Sequence, residues 1–163
     1  MRATAQSATK KPKKKAYQWG NLALGFTMER LGSGGNGLNY YFDYNRALGK
    51  IYLQGGVESF SIFQSEYSVY SFHLAAGYVV RNRLFLYGMF LGPAVQSGYD
   101  IEGKFFRTIG ASANMPIVVK PLEDLGIGIA LYSNINSKIT DNGIRIMLHI
   151  SSKYDKRPAF ISN

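Results

Sequence analysis

Eight times along this chain, bulky apolar side chains alternate with small or polar ones at a period of two, and clusters of Gly, Asn, Asp or Pro separate the runs. A β-strand turns successive side chains to opposite faces, so each run describes a strand with one apolar face. The first sets Leu22, Leu24, Phe26 and Met28 against Asn21, Ala23, Gly25 and Thr27. Glu29 to Gly37 reads as a loop, after which Leu38, Tyr40, Phe42 and Tyr44 oppose Asn39, Tyr41, Asp43 and Asn45. A turn at Ala47 to Lys50 leads to Ile51, Leu53, Gly55 and Val57 against Tyr52, Gln54, Gly56 and Glu58. Beyond a polar loop at Gln64 to Glu66, Tyr70, Phe72, Leu74, Ala76 and Tyr78 oppose Ser71, His73, Ala75 and Gly77.

The second half repeats the pattern. After the turn Arg81-Asn82-Arg83, the bulkier face of the fifth run is Phe85, Tyr87, Met89 and Leu91, against Leu86, Gly88, Phe90 and Gly92. Ser97 to Lys104 reads as a loop. The sixth run sets Ile109, Ala111, Ala113, Met115 and Ile117 against Thr108, Gly110, Ser112 and Asn114, and Lys120 to Asp124 reads as a turn. Ile127, Ile129 and Leu131 then face away from Gly126, Gly128 and Ala130, and Ile144, Ile146, Leu148 and Ile150 from Arg145, Met147, His149 and Ser151. Eight runs with short connections predict an antiparallel up-and-down meander closing first strand to last. Pro93 and Pro116 lack an N–H for the ladder, so each is expected at a strand end or a bulge.

Charge decides what surrounds such a barrel. The net charge is +9, but nine of the nineteen Lys and Arg lie in the tails, six of them before Ala16 and three after Ser152. The body from Ala16 to Ser152 holds ten basic and nine acidic groups and offers no basic face to nucleic acid. With no cysteine there is neither a disulfide framework nor a thiolate site. The chain divides into residues 1–15, a basic tail in which Met1 to Ala5, ending on the small-x-small pattern Ala3-Thr4-Ala5, is read as the stub of an export signal; a barrel over 16–152; and a basic tail over 153–163.

An amphipathic barrel can face lipid or enclose an apolar ligand in water. The apolar face carries Tyr40, Phe42, Tyr44, Tyr70, Phe72 and Tyr78, too much volume for the interior of eight strands, whereas the Gly-rich face fits a narrow lumen. The expectation is therefore an all-β, eight-stranded antiparallel up-and-down transmembrane β-barrel with basic N- and C-terminal tails. A soluble ligand-binding β-barrel is the alternative. An even strand number puts both termini on the side of the three short turns, the periplasmic side in bacterial barrels. Tyr44, Tyr78 and Tyr87 would form one aromatic girdle, and Phe26, Tyr40, Tyr70 and Phe105 the other.

Over Ala16 to Ser151 this pattern resembles the small outer-membrane β-barrel superfamily of Gram-negative bacteria, without a motif that selects a subfamily. The resemblance implies a location in the outer membrane with periplasmic termini. Those barrels commonly end on an aromatic residue, whereas this chain continues through Lys153 to Asn163.

The inward set holds the strand charges Asp43, Glu58 and Arg145 with His73 and His149. Counted from the turns, Glu58, His73 and Arg145 fall at similar heights, and Asp43 and His149 lower. These five are expected to form a lumen polar network that closes the barrel; a proton or ion relay is the competing role. His149-x-Ser151 is similar to the His and Ser of outer-membrane lipid A deacylases, with Asp43 as the group that would orient the base. Lys104 and Arg107, near the outer rim, are candidates for lipid headgroup contact. Two histidines without metal-ligand spacing suggest no metal, and Gly32 to Gly37 lacks the Lys-Ser/Thr of a phosphate loop, so no cofactor is expected. The expected partners are membrane lipids and other outer-membrane or periplasmic proteins. The expected function is a non-enzymatic structural or accessory subunit of an envelope complex, with a lipid-modifying enzyme as the alternative.

Overall fold

The computed structural model describes residues 16–29, 35–62, 68–99 and 102–152. The basic tails, the export-signal stub, the Gln64 to Glu66 loop and the Gly32 to Gly34 stretch lie outside the described residues. Eight strands follow in chain order: β1 Gln18–Glu29, β2 Asn36–Leu48, β3 Ile51–Ile62, β4 Ser68–Arg81, β5 Phe85–Tyr99, β6 Phe105–Val119, β7 Leu125–Asn136 and β8 Thr140–Ser151. Each pairs antiparallel with its chain neighbours, and β1 pairs with β8 (Leu22 opposite Leu148), so the sheet closes. Closure leaves no strand edge with unpaired backbone groups.

Side chains face as the alternation predicts, including in β5, where Phe85, Tyr87, Met89 and Leu91 point outward and Leu86 and Phe90 are buried. The β2–β3 connection is a tight turn at Gly49 and Lys50; Gly49 takes φ 66°, a left-handed conformation that a Cβ disfavours. At the next turn, Asn82 Oδ1 accepts from the Leu84 and Phe85 backbone N–H groups, at 2.8 and 2.7 Å.

Three expectations need correction. Strand β5 continues through Gln96, Ser97 and Tyr99, and β6 begins at Phe105, so the first three residues of the expected Ser97 to Lys104 loop are ladder. Strands β7 and β8 likewise extend past the apolar runs, through Tyr132 to Asn136 and from Thr140, because strand pairing continues where the outward residues turn polar. The prolines sit at neither a strand end nor a bulge. His73 pairs with Ala94 and Ala76 with Leu91, three residues on each strand, so the register passes Pro93 unchanged and only the intervening pairs drop out. Pro116 interrupts the β5–β6 ladder in the same way, between Tyr87↔Ile117 and Phe90↔Asn114. A proline removes one donor, and the continuous pairing of each on its other side (Pro93↔Ala111, Pro116↔Ala130) holds the strand in place.

The interior has three levels. Toward the turn side, Tyr17, Trp19, Tyr52, Val79, Leu86, Phe90, Val118 and Met147 pack into one apolar cluster. At the loop side, Phe60, Val69 and Ile139 form a second, with Phe106 against it. Polar side chains occupy the space between.

Candidate functional site: the polar network inside the barrel

Alternation aims one residue in two into the lumen, and between the apolar clusters those positions are Asn, Gln, Asp, Glu, His, Tyr and Arg. The upper part centres on Arg145 of β8 and Glu58 of β3. Arg145 Nη2 lies 2.6 Å from Glu58 Oε1, and both side chains are buried. Asn39 of β2 accepts from Arg145 Nε at 2.8 Å and donates to Glu58 Oε1, closing a triangle. Asn134 Nδ2 donates to Glu58 Oε2 and to Asp141 Oδ2, each at 2.9 Å, and Gln96 Nε2 donates to Asp141 Oδ1 at 3.0 Å. The Arg145 guanidinium also lies over the rings of Tyr41 and Tyr132, at 3.9 and 3.4 Å from their centroids. Such stacking favours a cation removed from water.

The lower part centres on Asp43. Its carboxylate accepts from Asn21 Nδ2 at 2.8 Å, from Asn45 Nδ2, and from Gln54 Nε2 at 3.2 Å. His149 Nδ1 is 2.9 Å from Asn21 Oδ1, an amide acceptor, so that ring nitrogen donates. Asn114 joins the two parts, with Nδ2 3.3 Å from both Tyr41 Oη and Gln54 Oε1. His73 stacks on Tyr41 with ring centroids 5.5 Å apart, and its Nε2 is 3.1 Å from the Tyr41 hydroxyl.

The structure thus gathers Asp43, Glu58, His73, Arg145 and His149 in one interior. Arg145 and Glu58 are in contact; His73 joins them through Tyr41; Asp43 and His149 share Asn21 and do not touch each other. Ser151 Oγ donates to the Glu123 carbonyl at 3.5 Å, and His149 Nδ1 is engaged by Asn21. The Ser151 hydroxyl and His149 Nδ1 thus each bond a group other than the other, and do not form the nucleophile–base contact a hydrolase requires. Lys104 and Arg107 lie elsewhere, exposed at the loop side. Lys104 pairs with Glu102 at 2.7 Å, and Arg107 faces outward opposite Ser97. Among the described residues, no three His, Asp or Glu side chains converge as a metal site.

Charge counting overlooks most of the network. Asn39, Asn45, Asn21 and Gln54 stand on the inward face of the sequence pattern, and a rule that every inward amide needs a partner would select them. Gln96, Asn134 and Asp141 lie outside the alternating runs from which the strands are read. Lys120, read as a turn residue, is buried near Tyr17 and Arg81; burial, and then the Arg81 charge, lowers its ammonium pKa.

No protein-family model matches the sequence, nor does any curated protein. Solved structures match the fold. Neisserial surface protein A superimposes with a TM-score of 0.61 at 10% identity, covering 84% of this chain and 97% of that one. Ail, the attachment invasion locus protein of Yersinia pestis, gives 0.61 at 8% identity, covering 85% and 99%. The N-terminal β-barrel domain of Pseudomonas aeruginosa OprF gives 0.60 at 12% identity, covering 82% and 97%. These likenesses place the chain among small eight-stranded β-barrels by fold.

Proposed function

We propose that this protein is a non-enzymatic outer-membrane β-barrel whose lumen is closed by its own side chains, and that it serves as a structural or accessory subunit of an envelope complex. The observation that carries this reading is an inversion of polarity. Ile109, Ile146, Tyr78 and Tyr70 are 60% or more exposed, while Arg145, Asp43, Asn39 and Gln54 are 1% exposed or less. Water would penalise that outer face over its whole circumference, whereas a bilayer requires it. From Tyr70 to Val80 the outward face of β4 spans ten residues, which at about 3.3 Å each and a tilt of about 40° is a band of about 25 Å, the height of a membrane-barrel girdle.

The closed lumen is supported by the two apolar clusters that bracket the polar network and by the contacts of Arg145 with side chains from β2, β3 and β7. The comparison barrels are outer-membrane proteins, which favours that location, with the termini on the turn side. Basic residues in both tails, such as Lys10, Lys11 and Lys153, would then meet anionic lipid or an acidic partner there. The experiment is extraction and refolding. The protein should require detergent, show a β-type circular dichroism spectrum and migrate differently in gels before and after boiling. A monodisperse protein in plain buffer would instead support the soluble barrel.

A further inference from the structure

We propose that the cavity between the β4–β5 and β6–β7 turns binds the headgroup of a zwitterionic aminophospholipid, a phosphate ester that carries a primary ammonium; the inference rests on the membrane reading above. The cavity measures 510 Å³. Arg83 and Leu84 line it from the β4–β5 turn, and Leu122 and Glu123 from the β6–β7 turn. Both turns are fixed by hydrogen bonds. Asn82 folds the first: its backbone N–H donates to the Phe85 carbonyl at 2.8 Å, while its Oδ1 accepts from the Leu84 and Phe85 N–H groups. The Lys120 N–H donates to the Leu84 carbonyl at 2.6 Å and ties the second turn to the first. The far end of that second turn is held to β8, where the Asp124 carbonyl accepts from the Ser151 N–H at 2.8 Å. A ligand entering such a cavity has little backbone left to order.

Charge selects the occupant. Arg83 and Glu123 are exposed and line the same cavity from opposite turns, yet neither forms an ion pair with the other or with any other described residue. A cation and an anion held apart across one cavity complement a ligand that carries both charges, whereas an anionic headgroup would meet Glu123 and a cationic one Arg83. The planar Arg83 guanidinium can take a phosphate through two hydrogen bonds, and a primary ammonium can donate to the Glu123 carboxylate, as a quaternary one with no N–H cannot. The surroundings favour a lipid over a free headgroup. On the membrane side of the cavity stands the outward pair Phe85 and Val119, and in the turns themselves Leu84 and Leu122 are 54% and 58% exposed. Leucines at that level are unfavourable in water and gain from contact with the first methylenes of a lipid. The β2–β3 turn differs. Arg46 and Lys50 are exposed there, in a stretch from Tyr44 to Leu53 without an acidic residue, which suits an anion and gives no place to an ammonium.

Native mass spectrometry of the detergent-refolded protein tests this, with dimyristoyl phosphatidylethanolamine, phosphatidylcholine and phosphatidylglycerol titrated singly. The wild type should hold its first phosphatidylethanolamine about two- to fivefold more tightly than either other lipid, the range that one interfacial ion pair contributes. Glu123→Gln should bring phosphatidylethanolamine down to the level of phosphatidylglycerol, and Arg83→Gln should weaken its binding by a similar factor. Lys50→Gln, at the β2–β3 turn, should leave it unchanged. Glycerophosphoethanolamine, the same headgroup without chains, should not displace the lipid at equal concentration. No preference in the wild type, a preference that survives Glu123→Gln or Arg83→Gln, an equal loss in Lys50→Gln, or displacement by the free headgroup would overturn the site. A variant that loses the gel shift of a folded barrel is replaced by Glu123→Ala or Arg83→Ala under the same criteria. Failure of the membrane reading would show before any lipid is added, as a protein soluble without detergent.

Discussion

The Arg145 guanidinium sits 2.6 Å from the Glu58 carboxylate and is stacked over Tyr41 and Tyr132, so a full positive charge is held in the lumen by one carboxylate, one amide and two rings. Removing one partner of a buried pair typically costs about 3 to 5 kcal/mol, because the other charge is left uncompensated, while exposed pairs contribute about 0 to 1 kcal/mol. Arg145→Met should therefore lower the urea midpoint of the refolded barrel clearly, and Lys104→Met, which breaks the exposed pair with Glu102, should leave it almost unchanged. Equal midpoints would show that the Glu58–Arg145 contact is energetically idle.

Coupling separates the ion pair from its shared neighbours. Glu58→Gln leaves Arg145 without its counter-charge, and Arg145→Met leaves Glu58 without its own. In the double variant neither charge remains, so its loss of stability should be smaller than the sum of the single losses by about 1 kcal/mol or more. Additive losses would assign the stability to Asn39 and Asn134 instead.

Planar bilayers should show no large, stable conductance, since Arg145, Tyr41 and Tyr132 cross the lumen between the apolar clusters. Reproducible porin-like steps from purified protein would sink the closed-lumen reading.

What the sequence conveyed well was the facing of side chains, because a period of two repeats in every strand and a one-residue slip would reverse it. From facing alone followed the closed meander and the inward placement of Asp43, Glu58, His73, Arg145 and His149. Strand ends were harder to see. Gln96, Asn134 and Asp141 belong to ladder continuing beyond the apolar band, where outward residues such as Ser97 and Asn142 are polar and the alternation fades although backbone pairing persists. Pro93 and Pro116 misled for a related reason: strand rules describe the missing hydrogen bond locally, whereas the closed sheet holds each proline strand through its other neighbour.

The close approach of strands gives a last, steric prediction. Gly77 faces inward on β4, and a Cβ there would stand 2.1 Å from the Met89 carbonyl oxygen and 2.7 Å from the Phe90 ring. Backbone cannot yield as a flexible side chain does, so Gly77→Ala must shift β4 against β5, where Pro116 already interrupts the neighbouring β5–β6 ladder. Gly55 faces outward on β3, and its added Cβ would meet only the Leu74 side chain, at 3.6 Å, an ordinary contact. Overpacking of this kind typically costs about 1 to 3 kcal/mol. In urea titrations Gly77→Ala should unfold well before the wild type, and Gly55→Ala within about 0.5 kcal/mol of it. If the two alanine variants unfold together, the β4–β5 contact is looser than these distances require, and glycine at 77 answers to something other than strand packing.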